Sequence, residues 1–177
     1  MLDYPELVTA RLRLRLLRLD DAPAVYRHFA DPQVTRFMDI EPCADVADAE
    51  EIIRYHIDDP GCRWGLFDRS SALVGTCGYH CLRSSPDARA ELGYDLGKAY
   101  WGQGLMWEAL EPVIAVGFAA MRLDTIDAGV HPDNARSLRL LRRLGFRQIS
   151  MTPDGLVYCV LGETEWASRT PGKHSSA

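Results

Sequence analysis

Glu91-Leu92-Gly93-Tyr94-Asp95-Leu96-Gly97-Lys98-Ala99-Tyr100-Trp101-Gly102-Gln103-Gly104-Leu105-Met106 runs from a strand pattern, through a glycine-bearing turn, into a helical pattern. Ala90 to Gly97 reads as a strand. From Trp101 to about Met121, Leu105, Ala109, Val113 and Val116 keep helical spacing, as do Leu110, Ile114 and Phe118. A strand, turn and helix in this order make an anion cradle. The first turn of a helix carries backbone N–H groups without partners, and the helix dipole adds partial positive charge there. Gly102 and Gly104 let a phosphate approach the backbone. A Gly-x-Gly pair alone also suits an ordinary turn; the flanking strand and long helix give it weight. Pro112 falls inside the helical pattern, where its missing N–H predicts a kink or a split.

Working outward, two more strands precede this stretch, near Cys62–Asp68 and Ala72–Leu82. Arg69-Ser70-Ser71 joins them as a hairpin, and Ser84-Ser85-Pro86-Asp87 links the second to the strand at Ala90. Within Thr9–Leu19, Leu12, Leu14 and Leu16 alternate with Arg11, Arg13 and Arg15. Period two predicts a half-buried strand, its arginines forming either an anion-binding row or a solvated face. Asp20-Asp21-Ala22-Pro23 starts a helix that carries Val25, Tyr26 and Phe29 and stops at Asp31-Pro32. A second helix runs from Asp45 to about Ile57, ended by Asp58-Asp59-Pro60-Gly61. Downstream come a strand over Asp124–Val130, a helix over Asp133–Leu144 closed by Gly145-Phe146, and a hairpin of Ile149–Met151 and Leu156–Leu161. This order predicts an α+β or α/β domain with one mixed sheet. There is no internal repeat and no linker. A single domain is expected over 1–166, with a polar, disordered tail over 167–177.

The 177 residues suit one domain. A chain that is 47% hydrophobic and 25% charged is not disordered. No apolar run approaches the roughly 20 residues of a membrane span. A net charge of −5 argues against a nucleic-acid partner. The five cysteines, Cys43, Cys62, Cys77, Cys81 and Cys159, are widely spaced, and the Cys77/Cys81 interval is not a usual zinc spacing. They read as buried apolar thiols, and no metal is expected. Met1-Leu2-Asp3-Tyr4-Pro5 does not read as a signal peptide. The expected compartment is the reducing cytoplasm.

The central stretch resembles the GCN5-related N-acetyltransferase (GNAT) superfamily, and within it the RimJ/RimL type of ribosomal-protein N-terminal acetyltransferase. The superfamily's Gln/Arg-x-x-Gly-x-Gly/Ala signature corresponds to Trp101-Gly102-Gln103-Gly104-Leu105-Met106. The branch is further marked by Thr9-Ala10-Arg11-Leu12-Arg13-Leu14-Arg15, Asp31-Pro32, Glu91-Leu92-Gly93-Tyr94, Asn134-Ala135-Arg136-Ser137 and Leu144-Gly145-Phe146. Two positions depart from the wider signature: Trp101, as is common in this branch, and Met106, whose side chain either crowds a pyrophosphate or turns into the core.

The resemblance implies an α+β fold: a central, mostly antiparallel mixed sheet with a V-shaped splay of strands and helices on both faces. It implies acetyl-CoA as co-substrate and no metal. The pyrophosphate would rest on backbone N–H groups from Gly102 to Met106, in the loop of Trp101, Gly102, Gln103, Gly104, Leu105 and Met106. The pantetheine arm would pair with the strand end at Asp95 and Leu96. Asn134 is implied as a polar contact to that arm, a helix cap, or both. Ser137 shares its helix face and is either a donor to the thiolate leaving group or a plain exposed serine. Arg139, Arg142 and Arg143 reach the nucleotide phosphates or stay solvated.

The amine acceptor must be neutral to attack. A terminal amine titrates near 8 and a lysine near 10.4, so a modest base suffices for the former. Glu91 is the first candidate for that base, through a water, or else a strand carboxylate paired with an arginine; Asp95 is second. Alternation puts Glu91, Gly93 and Asp95 on one face and Leu92, Tyr94 and Leu96 on the other. Tyr94 lines the acceptor site or the core. His80 and His131 are the candidate imidazoles, and His131 borders the cofactor or is structural. Trp64 and Phe37-Met38 shape the acceptor pocket or pack. A strand N–H near Leu96 is the candidate donor to the developing oxyanion. No acyl-enzyme is required.

The expected function is an acetyl-CoA-dependent N-acetyltransferase acting on a primary amine. A protein or peptide N-terminus stands ahead of a small amine or antibiotic, and a non-catalytic acyl-CoA-binding or sensing domain is the other class. A homodimer through the arginine strand or an unpaired sheet edge is the candidate assembly. Neither nucleic acid nor membrane is an expected partner.

Overall fold

The computed structural model describes residues 4–58, 61–84 and 86–169. The expected Asp59-Pro60 stop, the Ser85 link and the tail from residue 170 onward lie outside the described residues. The strands are β1 Leu7–Val8, β2 Arg13–Leu16, β3 Cys62–Phe67, β4 Leu73–Arg83, β5 Arg89–Leu96, β6 Thr125–Val130, β7 Arg147–Met151 and β8 Val157–Gly162. The helices are α1 Ala22–Phe29, α2 Pro32–Thr35, α3 Val46–Asp58, α4 Leu105–Ala119, α5 Ala135–Arg143 and α6 Glu163–Ser168. The strands form one sheet in the order β1-β2-β3-β4-β5-β6-β8-β7. It is antiparallel except where β5 meets β6. The fold is therefore the mixed α+β class.

Side-chain alternation divides the molecule into two layers. On one face α4 and α5 contribute Ile114 and Leu141 to a core shared with Ile126 and Leu161 of the sheet, all nearly inaccessible. On the other, α1 and α3 build a smaller core from Val25, Phe29, Ala49 and Ile53. α4 runs unbroken through Pro112, contrary to a split. Buried residues on both sides of the proline, from Leu105 to Phe118, pack into the same core, and that burial outweighs one lost hydrogen bond. Beneath it, Tyr79 donates its phenol to the Val113 carbonyl at 3.0 Å. Gly117 makes room for that ring: a Cβ there would lie 2.5 Å from the Tyr79 oxygen. Gly117→Ala is expected to lower the urea midpoint. Overpacking of about 1–3 kcal/mol, with displacement of the Tyr79 bond, exceeds the roughly 1 kcal/mol that alanine gains in a helix.

Three expectations change. The arginine stretch forms only the short β2, with β1 on its outer side, so β1 and β7 are the sheet edges among the described residues. Its arginines are each engaged by a carboxylate: Arg11 by Glu108, Arg13 by Glu6, Arg15 by Asp21. The helix expected from Trp101 begins at Leu105, because Gly102 and Gly104 adopt left-handed conformations. The short α2 and α6 carry too few residues for a periodic pattern to reveal them. α6 extends through Ser168 and places Trp166 against Phe118, ring centroids 6.4 Å apart.

Candidate active site

β5 and β6 lie side by side only from Arg89↔Thr125 to Glu91↔Asp127. Beyond that point β5 stays with β4 as far as Leu96, while β6 stays with β8 as far as Val130. Their ends diverge as a V, leaving an unpaired strand flank inside the sheet. Two hydrogen bonds fix which groups face it. Ala88 O accepts from the Asp124 and Thr125 N–H groups on the β6 side, and Gly97 N donates to Val74 O on the β4 side. Alternation then directs the backbone groups of Leu92, Tyr94 and Leu96 into the V. Trp101 Nε1 donates to Leu96 O at 2.7 Å, so the Leu96 N–H remains for a ligand.

Glu91 stands at the apex, as the last β5 residue paired with β6. Its side chain is 37% exposed, with Oε2 3.7 Å from His80 Nε2. It leans over Gly129: a Cβ there would lie 3.5 Å from Glu91 Oε1. On the opposite face the Tyr94 hydroxyl lies 2.5 Å from Ser137 Oγ, tying β5 to α5 across the V. Burial pushes the Tyr94 phenol well above its usual range, against the opposing hydrogen bond with Ser137, so it stays neutral. Asn134 caps α5, its Oδ1 accepting from Ser137 N at 3.2 Å. That leaves its Nδ2 as a donor beside the V.

At the start of α4, Gly102 and Gly104 have φ of +76° and +74°. A Cβ would meet nothing within 4 Å at Gly102, and only Arg11 Nη2 at 3.8 Å at Gly104. Backbone conformation, not crowding, selects glycine here, and the space above the loop is open. Gly104 caps the helix without a side-chain hydrogen bond. Glu108 N donates to Gly104 O, so the N–H groups of Leu105, Met106 and Trp107 precede the first intrahelical bond. Leu105 and Met106 are 6% and 7% exposed, so both side chains turn into the core and only their backbone faces the loop. Gln103 spends its side-chain amide on Ala99 O at 2.8 Å.

A carboxylate at Glu108, in the first turn, would repel an anion if it stood alone. It accepts instead from Thr9 Oγ1, Arg11 N and Arg11 Nε at 2.6–2.7 Å. Burial opposes its ionisation, yet these bonds hold the carboxyl below its usual range. Arg11 also donates Nη1 to Gln103 O at 2.9 Å, bracing the loop. The Arg136 guanidinium stacks on Trp101, 3.6 Å from the ring centroid, and Arg143 lies over Trp107 at 4.8 Å. A long helix with open N–H groups, a splayed strand edge and a nearby arginine together fit a pyrophosphate-bearing cofactor with a linear arm, as in coenzyme A.

The structure brings together Glu91, Tyr94, Leu96, Trp101 to Met106, Asn134 and Ser137 around the V and its mouth. Asp95 is not among them. Its carboxylate is 3% exposed and held by His28 Nε2 (2.5 Å), Arg63 Nη2 (2.6 Å), Thr76 Oγ1 (2.5 Å) and Thr76 N (3.0 Å). Burial alone would raise its pKa, but the His28 hydrogen bond, the His28 and Arg63 charges and Thr76 hold it at about 2. A carboxylate so saturated is no base, and the Asp95 backbone groups face β4, not the V, so the expected pairing of the arm there falls to Leu96. Trp64 is fully buried and donates to Pro5 O, so it lines no pocket. Phe37 stacks on His131 at 5.0 Å, joining the segment after α2 to the turn after β6 beside the V. Arg136 is a site residue that sequence reasoning misses; Arg11, which that reasoning places in an anion-binding or solvated row, instead pairs with Glu108 and braces the loop. A cation's place in the sequence carries no signal of what it stacks on or braces.

This split sheet, with a bare helix end at the mouth of the split, is the layout of an acetyltransferase. The family described as Acetyltransferase (GNAT) domain matches residues 11–147, and the chain belongs to that family. It is an N-acetyltransferase. The chain is 35% identical over 153 residues to the uncharacterized N-acetyltransferase p20 of Bacillus licheniformis, covering 84% of this chain and 85% of that protein. It is 31% identical over 160 residues to the ribosomal protein uS5-alanine N-acetyltransferase of Escherichia coli (strain K12), covering 85% and 82%. In fold it resembles the spermidine N-acetyltransferase of Vibrio cholerae, solved with CoA and spermine, at a TM-score of 0.79 and 17% identity over 89% of this chain and 98% of that one. Among the described residues no helix is long and apolar enough to cross a membrane.

Proposed function

We propose that the enzyme transfers acetyl from acetyl-CoA directly to a primary amine, with a protein or peptide N-terminus as the preferred acceptor. The observation that carries this is the V itself, which sets Glu91 and Ser137 on opposite faces of one gap in the sheet. Bound acetyl-CoA supplies an acetyl group activated as a thioester. The Gly102–Trp107 backbone and Arg136 bind the diphosphate, while Asn134 and the Leu92–Leu96 strand edge align the arm. The amine enters on the Glu91 face and yields its proton to that carboxylate through a water. The Leu96 N–H stabilises charge on the acetyl oxygen. Ser137 donates a hydrogen bond to the departing sulfur, and its bond with the neutral Tyr94 phenol holds the hydroxyl in place; the sulfur takes its proton from solvent.

A partly exposed carboxylate suits a terminal amine with a pKa near 8 better than a lysine, and the similarity to a uS5-alanine acetyltransferase points the same way. No disulfide joins any of the five cysteines, which fits a reducing compartment. The first test is calorimetric titration with acetyl-CoA against ATP, followed by thiol release with an Ala-initiated peptide, its N-acetylated form and spermidine. Micromolar acetyl-CoA-selective binding and fastest turnover on the free-terminus peptide are expected. Absence of acetyl-CoA binding overturns the cofactor assignment, and faster turnover on spermidine overturns the acceptor.

Gly104→Val tests the cradle. A β-branched residue at φ +74° is strained by about 1–3 kcal/mol and displaces the loop. Acetyl-CoA affinity is expected to fall more than about tenfold, while the strain lowers Tm by roughly 2–12 °C and leaves the protein folded at 25 °C. Unchanged affinity would sink the placement of the diphosphate.

A further inference from the structure

Beside the V, β4 carries an irregularity. Its pairing with β5 runs regularly to His80↔Glu91 and resumes only at Arg83↔Arg89, so two β4 residues face one on β5. Cys81 sits in this bulge at φ +53°, a conformation uncommon for a residue other than glycine. In a regular strand His80 and Cys81 would point to opposite faces. The left-handed residue cancels that alternation. The result is an imidazole nitrogen, a thiol sulfur and a Glu91 carboxylate oxygen all within 4.8 Å of one another. The His80–Glu91 pair is already at 3.7 Å.

We propose that His80, Cys81 and Glu91 form a site for a borderline-soft divalent cation, Zn²⁺ in particular, and that its occupation reversibly inhibits acetyl transfer. Zn²⁺ prefers this mixture of nitrogen, sulfur and oxygen ligands. Tetrahedral bonds of about 2.0–2.3 Å place its ligand atoms roughly 3.3–3.6 Å apart. Side-chain rotation of about 1 Å closes the three donors to that spacing, and a fourth position stays open to water. The ion displaces the thiol proton of Cys81 to solvent and occupies a carboxylate lone pair of Glu91. Access is direct, since Cys81 is exposed and the other four cysteines are buried. The inhibitory half rests on Glu91 being the base; the metal site does not.

The test titrates the intact enzyme with Co²⁺ as a spectroscopic probe, then with Zn²⁺, and measures acetyl transfer in parallel. Expected are a thiolate-to-cobalt charge-transfer band, its loss on adding Zn²⁺, and Zn²⁺ inhibition relieved by EDTA. Cys81→Ser keeps the metal-free activity but binds more than about tenfold more weakly and loses Zn²⁺ sensitivity. Absence of the charge-transfer band, or equal inhibition of Cys81→Ser and the parent enzyme, overturns the site. A band without any loss of activity overturns the inhibition and counts against Glu91 as the base, which separates the two readings.

Discussion

Glu91→Gln slows kcat by about 10²–10⁴-fold, the range for loss of a positioned general base, and leaves acetyl-CoA affinity unchanged. The carboxylate stands at the apex of the V and is reachable from solvent, while the groups assigned to the cofactor lie along β5, the α4 loop and α5. Glutamine keeps the size and one acceptor oxygen but cannot take a proton. The loss should shrink as pH rises through the acceptor's pKa near 8, because the amine then arrives already neutral. Steady-state kinetics across that pH range, beside calorimetry for acetyl-CoA, check both halves. A kcat within threefold of the parent enzyme would remove Glu91 from the chemistry. A deficit constant across pH would make it a positioning residue.

Asp95→Ala is expected to destabilise the fold by about 3–5 kcal/mol, the cost of leaving one buried charge without its partner. Arg63 is 7% exposed, and its Nη2 would lose the Asp95 carboxylate. His28 and Thr76 lose their acceptor at the same time. Against a total stability of about 5–15 kcal/mol this is a large share. Urea unfolding of the variant measures it, and a change below 1 kcal/mol would show that the network is not structural. The pH dependence follows in sign. The carboxyl titrates at about 2 in the fold against an ordinary 3.8, so its contribution is fully present above about pH 4 and drains away as pH falls toward 2. Its size is about 2 kcal/mol.

Asp95 also shows where reading a sequence stops. Alternation correctly set Glu91, Gly93 and Asp95 on one face of β5, but two carboxylates on one face look alike in sequence. Their environments differ because α1 covers the far end of the strand and brings His28 onto Asp95, whereas the near end, at Glu91, stays open beside the split. Met106 is the reverse case. Next to the phosphate loop its long side chain reads two ways in sequence, and the helix phase, fixed once α4 starts at Leu105, turns it into the core. His80 and Cys81 illustrate a third limit: a single left-handed residue annuls the period-two rule, and no residue type announced it.

What the sequence determined by itself were the properties that are local or periodic. These are the strand–glycine turn–helix segment, the alternating strands on either side, the cap at Asn134 and the order of elements that makes a mixed α+β sheet. Such features rest on backbone conformation and on spacings of a few residues, which the chain carries with it. The parting of β5 and β6 after Glu91, the meeting of Ser137 with Tyr94 across the gap and the neutralising of Glu108 by Arg11 below the cradle arise from packing. Each of these depends on groups brought together from distant parts of the chain, and which carboxylate is buried, braced or exposed is settled by what packs over it.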